Sequence, residues 1–130
     1  MKFLIADDHA NVRRGLREIL VDAFAGSRVA EASNGNEVLI LLRVYIPDIL
    51  LLDINMPGRS GMQTLMDVKA AYPHLPVIMV SVQPASQYAS PCIAAGAAAY
   101  INKSDAPETL PTAIRQILGG ITRASIARAA

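Results

Sequence analysis

Four short apolar runs along the chain each end in a residue type that can take part in chemistry. The acidic pair Asp7-Asp8 follows the first of these runs, Asp53 follows the second, and Ser81 and Lys103 follow the last two. Three carboxylates brought together repel one another unless a cation lies among them, and an all-oxygen set of ligands suits Mg²⁺. Lys103 would add a fixed positive charge. A carboxylate that can attack, a hydroxyl and two cationic centres predict phosphoryl transfer.

The stretch around Asp53 is the most informative one in the chain. Four apolar residues, Ile49–Leu52, lead into Asp53, and Pro57-Gly58 follows soon after. A short apolar run bounded by turn formers predicts a strand buried on both faces. Ligands of open α/β sheets bind outside the carboxyl ends of the strands, so an acid there favours a chemical role. The alternative is that Asp53 is a loop acid or turn former.

A parallel sheet would bring these residues together. Hydrophobic periodicity predicts five strands alternating with five helices. The predicted strands are Lys2–Ala6, Arg28–Ala32, Ile49–Asp53, Val77–Val80 and Ala97–Ile101. This alternation implies right-handed crossovers and a three-layer α/β sandwich. Because the carboxyl ends of parallel strands open on one edge, the sequence predicts a single site there.

Pro91 disturbs the region where the fourth helix is expected. A proline inside a helix costs about 3 kcal/mol, whereas Ser90-Pro91 is a favourable helix start. We therefore predict a short fourth helix that begins near Ser90, with Gln83–Ala89 irregular and mobile.

Prolines and glycines also bound two other helices. The second helix is expected to end at Pro47, and the last one at Gly119-Gly120. Pro111 lies about one turn inside the last helix, so the first turn, near Ala106–Leu110, is expected to be separate or kinked.

Length and composition exclude several classes of protein. The 130 residues suit one domain over residues 1–119, with residues 120–130 as the start of a linker to an absent output domain. A hydrophobic fraction of 52% excludes a disordered chain. No apolar run is long enough to span a bilayer and the acidic pair comes too early for a signal peptide, so we expect a cytoplasmic protein without a membrane partner. The single cysteine, Cys92, permits no internal disulfide and is expected in the core, and a net charge of +1 marks no nucleic-acid surface.

Taken in order, these residues resemble the receiver domain of bacterial two-component response regulators over roughly residues 2–119. The matching residues are Asp7-Asp8, Asp53 with Asn55-Met56-Pro57-Gly58, Ser81, Tyr100 and Lys103. The LuxR-type subfamily, whose receivers precede a helix-turn-helix DNA-binding domain, is resembled in Ala95-Gly96-Ala97, in Tyr100-Ile101-Asn102-Lys103-Ser104 and in Ala113-Ile114-Arg115 before Gly119-Gly120. The resemblance implies a flavodoxin-like (βα)5 fold with a five-stranded parallel sheet in the order 2-1-3-4-5.

The resemblance also implies the chemistry of the acids. Asp53 would accept a phosphoryl group from a sensor histidine kinase. Mg²⁺ would be held by Asp7, Asp8, Asp53 and the backbone carbonyl of Asn55, and Lys103 would pair with the phosphate. The protein would be a phosphoacceptor and not an enzyme.

Signal readout is implied to involve the later strands. Ser81 would donate a hydrogen bond to the phosphate, and Tyr100 would rotate into the space that Ser81 vacates. The phosphorylated chain would form a homodimer and would reach DNA only through an output domain outside this chain. Val82, where family members often have a smaller residue, would shield Asp53 from water and lengthen the phosphoryl lifetime. Lys103-Ser104 stands where related receivers often have Lys-Pro, which leaves the isomer of that peptide open.

Each residue also has an alternative role. Asp8 alternatively caps the first helix, and Ser81 and Lys103 would singly be a loop hydroxyl and a surface charge. Tyr100 would be a core aromatic residue with a wet hydroxyl. His9 would invite a metal or base role beside the acids.

Three other functions share parts of this pattern. An aspartate-nucleophile phosphohydrolase also forms an acyl phosphate, but it needs a second Asp as general acid where this chain has Asn55. A degenerate receiver would bind partners without being phosphorylated. A flavodoxin-like cofactor protein would bind phosphate in its first loop, which is acidic here and would repel it.

Overall fold

We describe a computed structural model that places the backbone of residues 1–129 and the side chains of residues 1–120. The strands are β1 (Lys2–Ala6), β2 (Arg28–Ala32), β3 (Ile49–Leu52), β4 (Val77–Ser81) and β5 (Ala99–Asn102). The helices are α1 (Ala10–Ala23), α2 (Gly35–Leu41), α3 (Gly61–Ala71), α4 (Ala85–Ala94) and α5 (Ala106–Ala129), and a 3-10 turn (Lys103–Asp105) precedes α5. All neighbouring strands pair in parallel, in the order β2-β1-β3-β4-β5. The predicted fold class and strand order are confirmed.

The sheet separates two hydrophobic cores, which explains the continuous apolar runs of its strands. Leu50 and Leu52 of β3 pack on the side of α2, α3 and α4, whereas Ile49 and Leu51 pack on the side of α1 and α5. Successive side chains of a strand point to opposite faces, so a strand covered on both faces needs an apolar residue at every position. Burying β3 in this way fixes where its carboxyl end opens.

Side-chain caps and a tight turn set the bounds of α2 and α3. The Asn34 side chain accepts from the Glu37 N–H at 2.9 Å, and Ser60 Oγ accepts from the Gln63 N–H at 3.1 Å, so both helices begin at a capping residue. The second helix ends at Leu41 and not at Pro47 as predicted. The N–H groups of Arg43 and Val44 donate to the carbonyls of Ile40 and Leu41 at 3.2 and 3.0 Å, and these i to i−3 bonds close the last turn and return the chain to the sheet.

Helix α4 departs from the prediction. It begins at Ala85 rather than near Ser90, and Pro91 lies inside it. The Pro84 carbonyl accepts from the N–H groups of Gln87 and the following Tyr88, each at 3.1 Å, and so provides an earlier start. Continuing through Pro91 loses one backbone bond, but it buries Cys92 completely in the core, as expected for that cysteine.

Helix α5 also runs through its proline. Pro111 lies inside a continuous helix, and the separate turn precedes Ala106 instead of following it. Leu110 and Ile114, on either side of Pro111, are fully buried, and this packing holds the two parts of the helix together. The expected end at Gly119-Gly120 was wrong, since the helix continues to Ala129.

Two further observations concern the chain as a whole. The residues that the structure describes contain no cis peptide bond, so the Lys103-Ser104 bond is trans. Among the same residues, no helix combines the length and the apolar character that crossing a membrane requires.

Candidate functional site

Three of the predicted residues meet at the carboxyl edge of the sheet. Lys103 Nζ lies 2.7 Å from Asp7 Oδ2 and 3.3 Å from Asp53 Oδ2. Asp7 and Asp53 are 1% and 3% exposed, and the Lys103 side chain is 14% exposed. The ends of β1, β3 and β5 therefore form one nearly buried charged cluster, at the edge where the sequence placed it.

The sheet itself holds the two acids. The Asp7 N–H donates to the Ala32 carbonyl at 3.1 Å, and the Asp53 N–H donates to the Ala6 carbonyl at 3.0 Å. The parallel ladders thus extend one residue beyond β1 and β3. The sheet therefore fixes the backbone of each acid independently of its side-chain contacts.

The loop after Asp53 turns back closely over its backbone. The Gly61 N–H donates to the Ile54 carbonyl at 2.7 Å. A Cβ at position 61 would lie 1.9 Å from the Asp53 carbonyl oxygen, so only glycine allows α3 to begin here. Gly58 has a φ of +75°, which lets the loop reverse. The Pro-Gly break predicted after Asp53 thus becomes a rigid support for it.

Burial and like charge set the electrostatics of the cluster. Burial raises the pKa of Asp53 and the charge of Asp7 raises it further, while Lys103 and a backbone hydrogen bond from Asn55 act in the opposite direction. Burial alone would lower the pKa of Lys103, but its contact with Asp7 and the attraction of Asp53 outweigh burial, so that pKa lies above its usual value. The acids keep the lysine charged, and the lysine compensates their repulsion only in part.

Asp7 presents a buried carboxylate oxygen that is held by a cationic side chain. Its Oδ2 is fully buried, and within the described residues this oxygen receives no well-directed hydrogen bond; the Lys103 contact is an ion pair. Asp8 lies beside it at the surface, with its side chain 32% exposed. Hard carboxylate oxygens of this kind, at the mouth of a buried acidic pocket, fit Mg²⁺.

Ser81 and Tyr100 are linked through a single residue. Ser81 is fully buried, and its Oγ accepts from the Gln83 N–H at 3.1 Å. The Tyr100 hydroxyl donates to the Gln83 carbonyl at 2.8 Å, and burial raises the pKa of this tyrosine. Val82, which lies between Ser81 and Gln83 in the chain, is 66% exposed. Asn55, on the loop after β3, is also exposed.

Neither acid caps α1 in the usual way. The capping residue is His9, which makes no side-chain cap bond, and its N–H donates to Asp7 Oδ1 at 2.8 Å. His9 Nδ1 lies 3.2 Å from Asp7 Oδ1 and 3.0 Å from Asp8 Oδ1. His74, the other histidine, lies in the loop between α3 and β4.

Arg13 was missed at the sequence level. Its Nη1 donates to the Asp7 carbonyl at 2.6 Å and its Nε donates to Glu31 at 2.8 Å, so it ties the first loop to β2. Glu31 also pairs with Arg17, and hydrogen bonds from Arg17 and then Arg13 lower the pKa of Glu31 despite its burial. The available signal was a lone acid within β2, together with two arginines at i and i+4 on the adjacent helix.

Comparison with known proteins adds independent findings. A family model described as a response regulator receiver domain matches residues 3–115. The chain is 37% identical over 120 residues to the glycerol metabolism activator of Pseudomonas putida, covering 92% of this chain and 54% of that protein. It is 33% identical over 120 residues to response regulator GacA of Pseudomonas aeruginosa, covering 92% of this chain and 56% of that protein.

A solved structure of a response regulator matches the fold of this chain. The crystal structure of a LuxR family two-component response regulator from an Aurantimonas species matches with a TM-score of 0.84 and 32% identity, covering 92% of this chain and 85% of that one. The chain spans about half the length of the curated relatives it matches.

Proposed function

The chain belongs to the receiver domain family of LuxR-type response regulators, and from this membership we propose that Asp53 accepts a phosphoryl group from the phosphohistidine of a sensor histidine kinase. The observation that carries the proposal is the ion-paired cluster in which Lys103 Nζ contacts Asp7 and Asp53 at the sheet edge. Receiver domains are signalling proteins and not classical enzymes. In this chain the chemistry would be a single transfer to Asp53 followed by its slow loss.

The transfer uses groups already in place. An oxygen of the ionised Asp53 carboxylate would attack phosphorus as the phosphorus–nitrogen bond of the phosphohistidine breaks. The imidazole would leave with the electron pair, and Asp53 would become an acyl phosphate. Lys103, 3.3 Å from Asp53, favours the ionised carboxylate and would then pair with the phosphoryl oxygens.

Receiver domains generally bind Mg²⁺ at an acidic pocket. In this chain we assign the ion to Asp7, Asp8, Asp53 and the backbone carbonyl of Asn55, since the three acids lie in or beside the cluster and the Asn55 backbone hydrogen-bonds to Asp53. When bound, the ion supplies positive charge that neutralises the carboxylates and the phosphoryl oxygens.

The readout would begin at Ser81. Its Oγ now accepts from the Gln83 N–H, and donating to a phosphoryl oxygen on Asp53 would require Ser81 to reorient. Tyr100 bonds to the carbonyl of the same Gln83, so a shift of Gln83 would release the tyrosine hydroxyl. We assign Ser81 and Tyr100 as the switch residues because they share this partner.

The output of the switch is proposed to be a separate domain. Because the relatives are about twice as long, we propose that residues 1–119 form the receiver and residues 120–130 lead toward a DNA-binding domain that regulates transcription. Phosphorylation of Asp53 would act on that domain through dimerisation of the receiver.

One labelling experiment tests the core of this proposal. The chain is incubated with Mg²⁺ and acetyl phosphate, and its intact mass is measured. We expect a single added phosphoryl group that is absent from Asp53→Asn and greatly reduced in Asp8→Asn. No labelling of the wild type would favour a phosphorylation-independent receiver, and continuous turnover of a generic phosphate ester would favour a phosphohydrolase.

A further inference from the structure

The backbone of Asp7 is held from two sides by groups outside the acidic cluster. Its N–H donates to the carbonyl of Ala32, the last residue of β2, at 3.1 Å. Its carbonyl accepts from Arg13 Nη1 of α1 at 2.6 Å. Both polar groups of the Asp7 backbone are therefore bonded, one to the edge strand of the sheet and the other to a side chain of the first helix.

Arg13 is itself fixed by a second layer of contacts. Its Nε donates to Glu31 Oε1 at 2.8 Å, and Glu31 Oε2 accepts from Arg17 Nη2 at 2.6 Å. Arg17 Nη2 also donates to the Val29 carbonyl at 3.1 Å, so this arginine is anchored on β2. The Arg13 side chain is only 18% exposed, and its planar guanidinium presents its donors in a rigid fork. The fork joins Glu31 of β2 to the Asp7 carbonyl.

The contact with the Asp7 carbonyl orients Asp8. This carbonyl belongs to the planar peptide bond that links the two acids, so fixing its oxygen fixes the plane from which Asp8 continues. The Asp8 side chain is 32% exposed, and His9, which it contacts at 3.0 Å, is 66% exposed. An ion pair between groups this exposed restrains them weakly. The position of Asp8 therefore depends on the backbone that Arg13 holds.

We propose that Arg13, kept in place by Glu31, is a positioning residue for the binding of Mg²⁺ by Asp7 and Asp8. The inference rests on the proposed function, because it takes these two acids as ligands of the ion. Arg13 acts through the backbone: it orders the acidic loop before the ion binds and so lowers the entropic cost of binding. Residues that orient metal ligands in this way typically change the affinity for the ion by about 10–100-fold.

The charge of Arg13 and its positioning role predict opposite effects when the side chain is removed. A guanidinium beside the acids repels a divalent cation, so on charge alone Arg13→Ala would bind Mg²⁺ more tightly than the wild type. If Arg13 orders the acidic loop, Arg13→Ala binds Mg²⁺ more weakly. The direction of the change in affinity therefore separates the two roles.

The test measures Mg²⁺ binding without a phosphodonor. MgCl₂ is titrated into the wild type, Arg13→Ala, Glu31→Gln and Arg14→Ala, and the NMR shift of the Asp8 amide is followed. We expect the dissociation constant to rise about tenfold in Arg13→Ala and by a smaller factor in Glu31→Gln. Arg14, the next residue on α1, is exposed, so Arg14→Ala removes the same charge and should bind Mg²⁺ at least as tightly as the wild type.

Two further measurements separate positioning from a defect in folding. Urea unfolding gives the stability of each variant, and Glu31→Gln is nearly isosteric, so it tests the same contacts with the fold kept. At saturating Mg²⁺, both variants should be labelled by acetyl phosphate at a rate within about twofold of the wild type, because only the affinity for the ion has changed.

Three results would count against the inference. Mg²⁺ affinity in Arg13→Ala equal to or tighter than in the wild type would overturn it, and so would an equal loss of affinity in Arg14→Ala. Either result, with normal labelling of the wild type, would leave the proposed function standing. A wild type that binds no Mg²⁺ would overturn the inference together with the assignment of the ion to Asp7 and Asp8.

Discussion

Two regions of the molecule that serve the same signal are held by different forces. The acceptor edge is formed by the buried charges of Asp7, Asp53 and Lys103 with Asp8 beside them at the surface, and the parallel ladders fix the backbone of Asp7 and Asp53. The readout segment, residues 81–100, rests on neutral hydrogen bonds to Gln83 and on α4, which has no charged residue and buries only Cys92, whereas α3 buries four residues.

The difference follows from what each region must do. Leaving a buried charge unpaired costs about 3–5 kcal/mol, whereas a neutral hydrogen bond contributes only about 1 kcal/mol. The phosphoryl transfer proposed at Asp53 would need side chains held in a rigid geometry. A switch needs contacts that a single phosphoryl group can rearrange, because a ligand moves an equilibrium only by its difference in affinity for the two states.

Removing the lysine should produce the largest effect. Lys103→Ala leaves Asp7 and Asp53 without their cation, and it removes the group that would neutralise the phosphoryl oxygens. We expect labelling by acetyl phosphate to slow by about 100-fold or more, measured as the initial rate by intact mass. Lys69→Ala is the control, because Lys69 Nζ donates to the carbonyls of Pro73 and Leu75 in the loop after α3 and has no contact with the acids. A Lys103→Ala rate near that of the wild type would place the essential cation elsewhere.

A methyl group added at Gly61 should disturb the loop that supports Asp53. Gly61→Ala would place a Cβ 1.9 Å from the Asp53 carbonyl oxygen, so the loop or the helix must move. We expect a loss of about 1–3 kcal/mol in the free energy of unfolding, measured with urea, together with slower labelling. Gly15→Ala on α1, where nothing lies within 4 Å, should instead be neutral or slightly stabilising. Equal stabilities for the two variants would show that the frame around Asp53 yields easily.

The pH dependence of stability should show that Lys103 compensates the charge of Asp53 only in part. Burial, with Asp7, raises the pKa of Asp53 above its ordinary 3.8, so the folded chain binds this proton more tightly than the unfolded chain does. The contribution of Asp53 to stability is therefore fully present below 3.8 and is lost as pH rises through the raised pKa. In chelator-treated protein, the stability of Asp53→Asn relative to the wild type should increase across that window.

The matched control for this profile is Asp22→Asn, at an exposed position on α1. Urea unfolding from acidic to neutral pH gives the comparison. If Asp53→Asn and the wild type differed by the same amount at every pH, Lys103 would compensate both acids fully, and the acceptor edge would store no repulsion.

A change in the readout segment should have a smaller effect. Tyr100→Phe removes the hydroxyl that donates to the Gln83 carbonyl at 2.8 Å. We expect about 1 kcal/mol or less of lost stability, an unchanged labelling rate, and faster hydrogen exchange of the amides at the start of α4. A large fall in the labelling rate would mean that the two regions are not separable.

The smallest effect is expected at Val82. Val82 directly follows Ser81 and is 66% exposed. We propose that its side chain limits the access of water to the phosphorylated Asp53. Val82→Ala should lose the phosphoryl group a few times faster, followed by intact mass after the donor is removed. An unchanged rate of autodephosphorylation would remove Val82 from the mechanism.

Much of the fold was predictable because its signals are local. The apolar run before Asp53 marked a strand buried on both faces, and the observed β3 ends one residue earlier than predicted. Alternation of strands and helices implied the parallel sheet, and the parallel sheet implied a shared edge for Asp7, Asp53 and Lys103, which the structure confirms. The domain boundary near residue 119 stays a prediction.

The helices with prolines were predicted least well. Propensity favoured a start at Ser90 and a break near Pro111, yet α4 begins at Ala85 and α5 is continuous through its proline. The packing of Cys92 and Ile114 against the sheet offsets the missing backbone bonds.

The sequence by itself determined the order of the elements and which side chains stand at the carboxyl ends of the strands, because both depend on residues close together in the chain. Only the tertiary structure decided that Arg13 holds the Asp7 carbonyl, that His9 faces two carboxylates, and that Ser81 and Tyr100 share Gln83. These contacts depend on the orientation and burial that each side chain takes once the strands and helices have packed, and no local pattern in the sequence records the free energy gained in that packing.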